Sequence, residues 1–294
     1  MTTSSVTTDT IDTPGSLPAP GMAPAISLER ISVDFGGASP AVNEVSLTIS
    51  TGGVTAIVGP NGSGKSTLLR TMGRLSAPDS GSVLLDGQDI FRRSSRQLAR
   101  ELGILPQSPI APPGLTVVDL VSRGRDPHRR WFDQWSKADE VVVWEALEQT
   151  GMLDFAKAHV DDLSGGQRQR AWIAMALAQR TRMLLLDEPT TYLDIAHQLD
   201  VLELVRGMHE ADGTAIVMVL HDLSMAARFA DRIIALREGR IFADGTPGEV
   251  ITPALLRDVF DLEATVVTDP HTGRPHVMPI RRVAGAASGS PHGE

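Results

Sequence analysis

No cysteine occurs anywhere in the 294 residues. A disulfide, a thiolate metal site and an iron–sulfur cluster are therefore all excluded within this chain. That absence fits a reducing compartment. Basic charge is also scarce: 27 Lys and Arg stand against 36 Asp and Glu, for a formal net charge of -9. A surface built mainly to grip nucleic acid is not expected from that balance. No apolar run approaches the ~18 residues needed to span a bilayer. The longest, Ala171–Ala178 and Ala215–Leu220, suit a buried helix segment and a buried strand. The opening stretch, MTTSSVTTDTIDTPGSLPAPG, lacks the basic start and the apolar core of a secretory signal.

What is present is ordinary for a soluble globular protein, at 41% hydrophobic and 21% charged residues. The Thr, Ser and Pro bias of the start predicts a disordered lead-in over 1–24, and AGAASGSPHGE predicts a similar tail over 283–294. The folded part is expected between them, in the cytoplasm. Ile26–Val33 and Val45–Ile49 alternate apolar and polar residues, as half-buried strands do. Val54–Val58 is nearly continuous apolar sequence ending in glycine, the pattern of a strand covered on both faces. A helix is expected from Lys65, and strands over Ser82–Leu85 and Leu102–Leu105.

From about 109 to 180 the pattern turns helical, over Thr116–Ser122, Lys137–Thr150 and Gln167–Gln179. Strands and helices then alternate again: Met183–Leu186, Ile195–His209, Ala215–Leu220, Leu223–Ala230 and Ile233–Leu236. Such alternation predicts an α/β unit with a largely parallel sheet, here over 25–251, interrupted by the helical insertion. A small helix-plus-strands appendage is expected over 252–282.

The stretch GPNGSGKST fits G-x-x-x-x-G-K-[ST] across Gly59, Pro60, Asn61, Gly62, Ser63, Gly64, Lys65, Ser66 and Thr67. Its glycines let backbone N–H groups turn inward as an anion nest, and the helix that follows aims its positive end at the same phosphates. Lys65 is expected to reach the β- and γ-phosphates of a nucleoside triphosphate, and Ser66 to offer a hydroxyl to Mg²⁺. MLLLDEPT places Asp187 at the carboxyl end of a buried strand, where ligands bind in open α/β sheets. Asp187 is expected to hold Mg²⁺. Glu188 is then positioned to polarise an attacking water.

LSGGQRQR opens another helix, with Ser164 as N-cap and Gly165 and Gly166 allowing close backbone approach. LSGGQ arises by chance in well under ~0.1% of chains this long, so it is the most specific signal present. Two residues at strand ends join the set. The Gln107 amide faces either the metal or the attacking water, and the His221 imidazole the γ-phosphate; either side chain alone reads as structural. Phe35, before Gly36-Gly37, reads as an adenine-stacking ring or as a core phenylalanine, and sequence alone favours the core.

Together these residues resemble the ATP-binding cassette family from Ile26 to about Ile251, with the phosphate loop, Gln107, LSGGQ, LLLDEP, Leu193-Asp194 and His221 in the family's order. The resemblance implies a P-loop NTPase with a RecA-like core, a mixed β-subdomain and an inserted helical subdomain. It implies ATP and Mg²⁺ as ligands and a head-to-tail homodimer. Ser164, Gly165, Gly166 and Gln167 would then act on the partner's nucleotide, with Asp194 at the dimer interface. The adenine-stacking position in the family is commonly tyrosine, whereas this chain has Phe35.

RGRDPHRRWFDQW (residues 123–135), LSGGQRQRAWIAMALAQ and DEPTTYLDIAHQ further resemble the ATPases of bacterial ferric-siderophore importers, with haem and cobalamin importers sharing much of the pattern. This likeness implies a peripheral subunit on the cytoplasmic face of the membrane. Its partners would be transmembrane permease subunits and, indirectly, a solute-binding protein. The RGR-PH segment reads either as a permease contact or as a solvated basic face. Competing expectations are an importer ATPase for haem, cobalamin or another metal chelate, a soluble cassette ATPase of cofactor assembly or repair, and a non-hydrolysing ATP switch.

Overall fold

The computed structural model describes residues 26–37, 39–50, 52–129, 135–191 and 193–283. The expected lead-in over 1–24, the tail beyond Val283, Trp131 and Tyr192 lie outside the described residues. Along the chain run β1 (Ile26–Val33), β2 (Val42–Ile49), β3 (Val54–Val58), α1 (Lys65–Met72), β4 (Ser80–Leu85), β5 (Gln88–Asp89), α2 (Ser95–Glu101) and β6 (Leu102–Leu105). Next come α3 (Val117–Ser122), a 3-10 turn over Arg123–His128, α4 (Lys137–Gln149) and α5 (Gly165–Ala178). Then follow β7 (Met183–Asp187), α6 (Ile195–Asp212), β8 (Ala215–Val219), α7 (Leu223–Phe229), β9 (Arg232–Arg237) and β10 (Arg240–Gly245). The last elements are α8 (Pro247–Val250), α9 (Pro253–Phe260), β11 (Leu262–Thr268) and β12 (Pro275–Arg282).

The central sheet has the order β10-β9-β3-β8-β7-β6, parallel from β9 to β6 with β10 antiparallel at one edge. Its middle strands are apolar at successive positions because both faces are covered. Along β7, Leu184 and Leu186 enter one apolar core while Met183 and Leu185 enter the other. The first core holds α3 to α7. The second holds α1, through Leu68, Leu69 and Met72, packed under the antiparallel sheet β2-β1-β4-β5. Burying each such leucine stabilises the fold by roughly 2–3 kcal/mol. The sheet's carboxyl edge is thereby a rigid rim on which loops can carry chemistry. β11 and β12 form a separate hairpin against α9 and α7.

Between α3 and α4 the chain is pinned by charge. The Arg125 guanidinium donates to Asp139 Oδ1 and to the Ala178 carbonyl, each at 2.9 Å, and Ser136 Oγ donates to Asp139 Oδ2 at 2.6 Å. Arg123 is exposed, whereas Arg125, two residues after it, is 5% exposed and not part of a solvated basic face. Its charge is matched internally by a carboxylate one helix away. Burial works to raise the Asp139 carboxyl, but hydrogen bonds from Ser136 and Arg125, with Arg125's charge, hold it below its usual range.

The lowered value means that Asp139 contributes stability above about pH 4, lost as pH falls through the folded-state value. Asp139→Asn is expected to destabilise the fold by about 3 kcal/mol at neutral pH, because it leaves a buried guanidinium uncompensated. The loss should shrink toward pH 3. Urea unfolding at both pH values measures it, and equal losses at both would refute the pairing.

Candidate functional site

β3 ends on Val58 and the chain turns through Gly59–Gly64 into α1. Gly64 sits at φ +97, and a Cβ there would collide with the Ala41 carbonyl oxygen. Only glycine suits that combination. Gly64 carries no side-chain cap and no acidic residue lies in the first turn of α1, so the helix start keeps its affinity for an anion. Lys65 is buried beneath the loop, its Nζ donating to the Gly59 and Pro60 carbonyls at 2.9 Å each. Burial lowers its pKa, and the charges of Glu188 and Asp187 work the other way. The ammonium thus arches the loop from inside.

A cavity of about 710 Å³ opens beside this loop. Phe35, Asn61, Gly62, Gly64, Lys65, Ser66 and Thr67 line it together with Gln107, Glu188 and His221. The core reading of Phe35 is overturned, since the ring is 72% exposed. β1 ends at Val33, so Phe35 lies beyond the sheet in a turn that Asp34 caps by accepting from the Gly36 N–H. Gly59, Pro60, Ser63 and Asp187 stand behind the wall rather than on it. Ala41 and Thr191, which sequence reasoning missed, complete the lining. Ala41 carries no sequence signal, whereas Thr191 sits inside the acidic motif and could have been found there.

Glu188 is the centre of the polar wall. Its Oε1 lies 2.6 Å from His221 Nε2, while Oε2 accepts from Gln107 Nε2 at 2.5 Å and from Thr191 Oγ1 at 2.9 Å. Its backbone is left-handed, with φ +52, a conformation that side-chain-bearing residues adopt where their surroundings hold them in it. Asp187 differs. It is 1% exposed, and neither carboxylate oxygen has a hydrogen-bond partner among the described residues. Arg70 Nε stands 3.3 Å from Oδ2, an ion-pair distance without hydrogen-bond geometry. Two orphaned buried carboxylate oxygens suit a hard divalent cation. Ser66 and Gln107 offer further oxygens of the same kind, because the Gln107 amide spends its N–H on Glu188 and keeps its carbonyl.

The LSGGQ residues are not part of this cavity. Ser164 and Gln167 form a reciprocal cap on α5, with Gln167 N–H donating to Ser164 Oγ at 3.3 Å and Ser164 N–H to Gln167 Oε1 at 3.0 Å. A Cβ on Gly166 would press on the His197 ring at 3.0 Å, but one on Gly165 would meet nothing within 4 Å. Asp194 caps α6, accepting from the backbone N–H of His197 at 2.9 Å and facing its Nδ1 at 2.7 Å. Those bonds hold its exposed carboxyl below the usual range. The start of α5 is thus capped by its own side chains and lies outside the cavity beside the phosphate loop.

Residues 42–191 match the family described as ABC transporter. The chain is 49% identical over 258 residues to the petrobactin import ATP-binding protein FpuD of Bacillus anthracis, covering 88% of this chain and 94% of that one. It is 47% identical over 262 residues to the ferric enterobactin transport ATP-binding protein FepC of Escherichia coli (strain K12), covering 89% and 96%. It is also similar, at 29% identity and a TM-score of 0.67, to a dimeric ATP-binding cassette solved in a post-hydrolysis state with ADP and Pi. That likeness covers 75% of this chain and 98% of the other.

Proposed function

The chain belongs to the ABC transporter family, and on that footing we propose that it hydrolyses ATP to drive ferric-siderophore import through membrane permease partners. The observation that carries the ATPase reading is Glu188, held by Gln107, Thr191 and His221 in the cavity that the phosphate loop lines. The loop's N–H groups, the start of α1 and Lys65 bind the triphosphate. Phe35 stacks on the adenine from the exposed end of the cavity. Asp187, Ser66 and Gln107 would hold Mg²⁺, which would supply positive charge to offset that of the triphosphate. Glu188 accepts the proton of the attacking water as its oxygen bonds to the γ-phosphorus and the bond to the bridging oxygen breaks, leaving ADP and phosphate. His221 contacts the γ-phosphate.

Ser164, Gly165, Gly166 and Gln167 complete the site on the nucleotide of a second copy, packed head to tail with Asp194 at the interface. ATP binds that closed pair better than the open one, and hydrolysis reopens it. Among the described residues no helix is long and apolar enough to cross a membrane, so passage itself is assigned to the permease. The chain would then sit at the cytoplasmic face, with a solute-binding protein delivering cargo from the other side. The siderophore class rests on the two import relatives. The test is uptake of iron-labelled siderophores in cells lacking this chain, complemented by wild type or Glu188→Gln. Restored uptake with wild type alone is expected; unimpaired uptake in the deletion strain would refute the assignment.

A further inference from the structure

Gln107, Thr191 and His221 surround the Glu188 carboxylate, yet two of them already have work at the nucleotide under the function proposed above. Gln107 is needed for the cation and His221 for the γ-phosphate. Neither contact with Glu188 is therefore its residue's only task. Thr191 differs from both. Its hydroxyl donates to Oε2 at 2.9 Å and its backbone N–H donates to the Glu188 carbonyl at 3.2 Å, closing a turn that starts at Glu188 itself. The two residues therefore move as one piece.

We propose that Thr191 is the positioning residue that keeps the Glu188 carboxylate aimed at the attacking water while Gln107 and His221 engage the nucleotide. The need for such a hold follows from the Glu188 backbone. At φ +52 the side chain leaves the end of β7 in a direction that the strand does not fix, so the rotamer depends on its partners. A carboxylate free to swing loses the geometry that general-base catalysis requires. The hydroxyl supplies one charge-assisted bond, at 2.9 Å, from a donor that has no other task at the nucleotide and is tied to the same turn. This inference rests on the general-base reading of Glu188, and its test separates the two.

The experiment compares steady-state ATP hydrolysis by the full chain carrying Thr191→Val, Thr191→Ser or Glu188→Gln, with folding checked by thermal unfolding and ATP affinity by titration. Thr191→Val is expected to lower kcat about tenfold or more while KM and ATP affinity stay within about twofold. Thr191→Ser should return kcat to near the wild-type value, because the hydroxyl alone is at issue. If the valine chain does not fold, Thr191→Ala carries the same expectation. A wild-type kcat for Thr191→Val beside an inactive Glu188→Gln would overturn the role of Thr191 alone. A serine variant as slow as the valine variant would assign the effect to the lost methyl group and overturn it too. A Glu188→Gln chain with full activity would sink both readings together.

Discussion

Replacing Glu188 by glutamine is expected to slow ATP hydrolysis by at least about a hundredfold, the lower end of what a positioned general base supplies, while leaving ATP affinity nearly unchanged. The argument is geometric. Glutamine keeps the length and planarity of the side chain, and its carbonyl can still accept from Gln107 Nε2 and Thr191 Oγ1, which now meet Oε2. Its amide cannot take a proton from water at any pH of interest. The phosphate loop keeps all its own hydrogen bonds, and Lys65 loses only the Glu188 charge, with that of Asp187 still in place. Single-turnover hydrolysis and equilibrium titration with a fluorescent ATP analogue separate the two effects. Loss of binding in step with loss of turnover would mean that Glu188 holds the nucleotide rather than activating water.

The second large effect is expected at Lys65. Lys65→Ala should weaken ATP binding by about 10–100-fold, the range for losing one or two charge-assisted hydrogen bonds to phosphate. Lys65 Nζ is spanned by the Gly59 and Pro60 carbonyls, so alanine also removes the internal prop of the loop. Burial already lowers the pKa of this ammonium, with the Glu188 and Asp187 charges opposing the shift. An anionic triphosphate adds to that opposing charge and so favours the protonated form. Arginine should not rescue the variant, because a planar fork does not fit a slot shaped for a point charge. Unchanged affinity in Lys65→Ala would contradict the phosphate-loop assignment.

Much of the architecture was legible because it is written in apolar runs. β3, β7 and β8 sit between two cores, so only Thr55 interrupts their apolar runs before Asp187, and their period needs no partner to be read. α2 escaped notice because Leu98 is its sole buried residue, which leaves no periodicity to detect. Its reciprocal Ser94–Gln97 cap was the available signal. β10 was missed for a similar reason: as an edge strand it alternates between exposed and half-buried positions and carries little apolar sequence. The Glu238-Gly239 turn before it, with both residues at positive φ, marks the hairpin.

The site was legible in a different way. Spacing alone gathered the loop from Gly59 to Thr67, but nothing in the sequence told which of its residues face the cavity and which, like Ser63, lie behind it. Phe35 shows the limit most clearly. Hydrophobicity argued for the core, and the backbone exit from β1 decided against it. Arg125 shows the opposite error, a charge drawn inward because Asp139, fourteen positions on, awaited it there.

The shared nucleotide site is tested most directly by sedimentation velocity of the Glu188→Gln chain with and without ATP and Mg²⁺. A monomer without nucleotide and a dimer with it are expected. Adding Gly165→Asp should return the protein to a monomer that still binds ATP. Inside its own chain a Cβ at Gly165 meets nothing within 4 Å, so there is room for the aspartate, and its carboxylate would repel phosphates of a partner copy docked there. A monomer mass for Glu188→Gln at saturating ATP, or a dimer indifferent to Gly165→Asp, would contradict a site built from two copies.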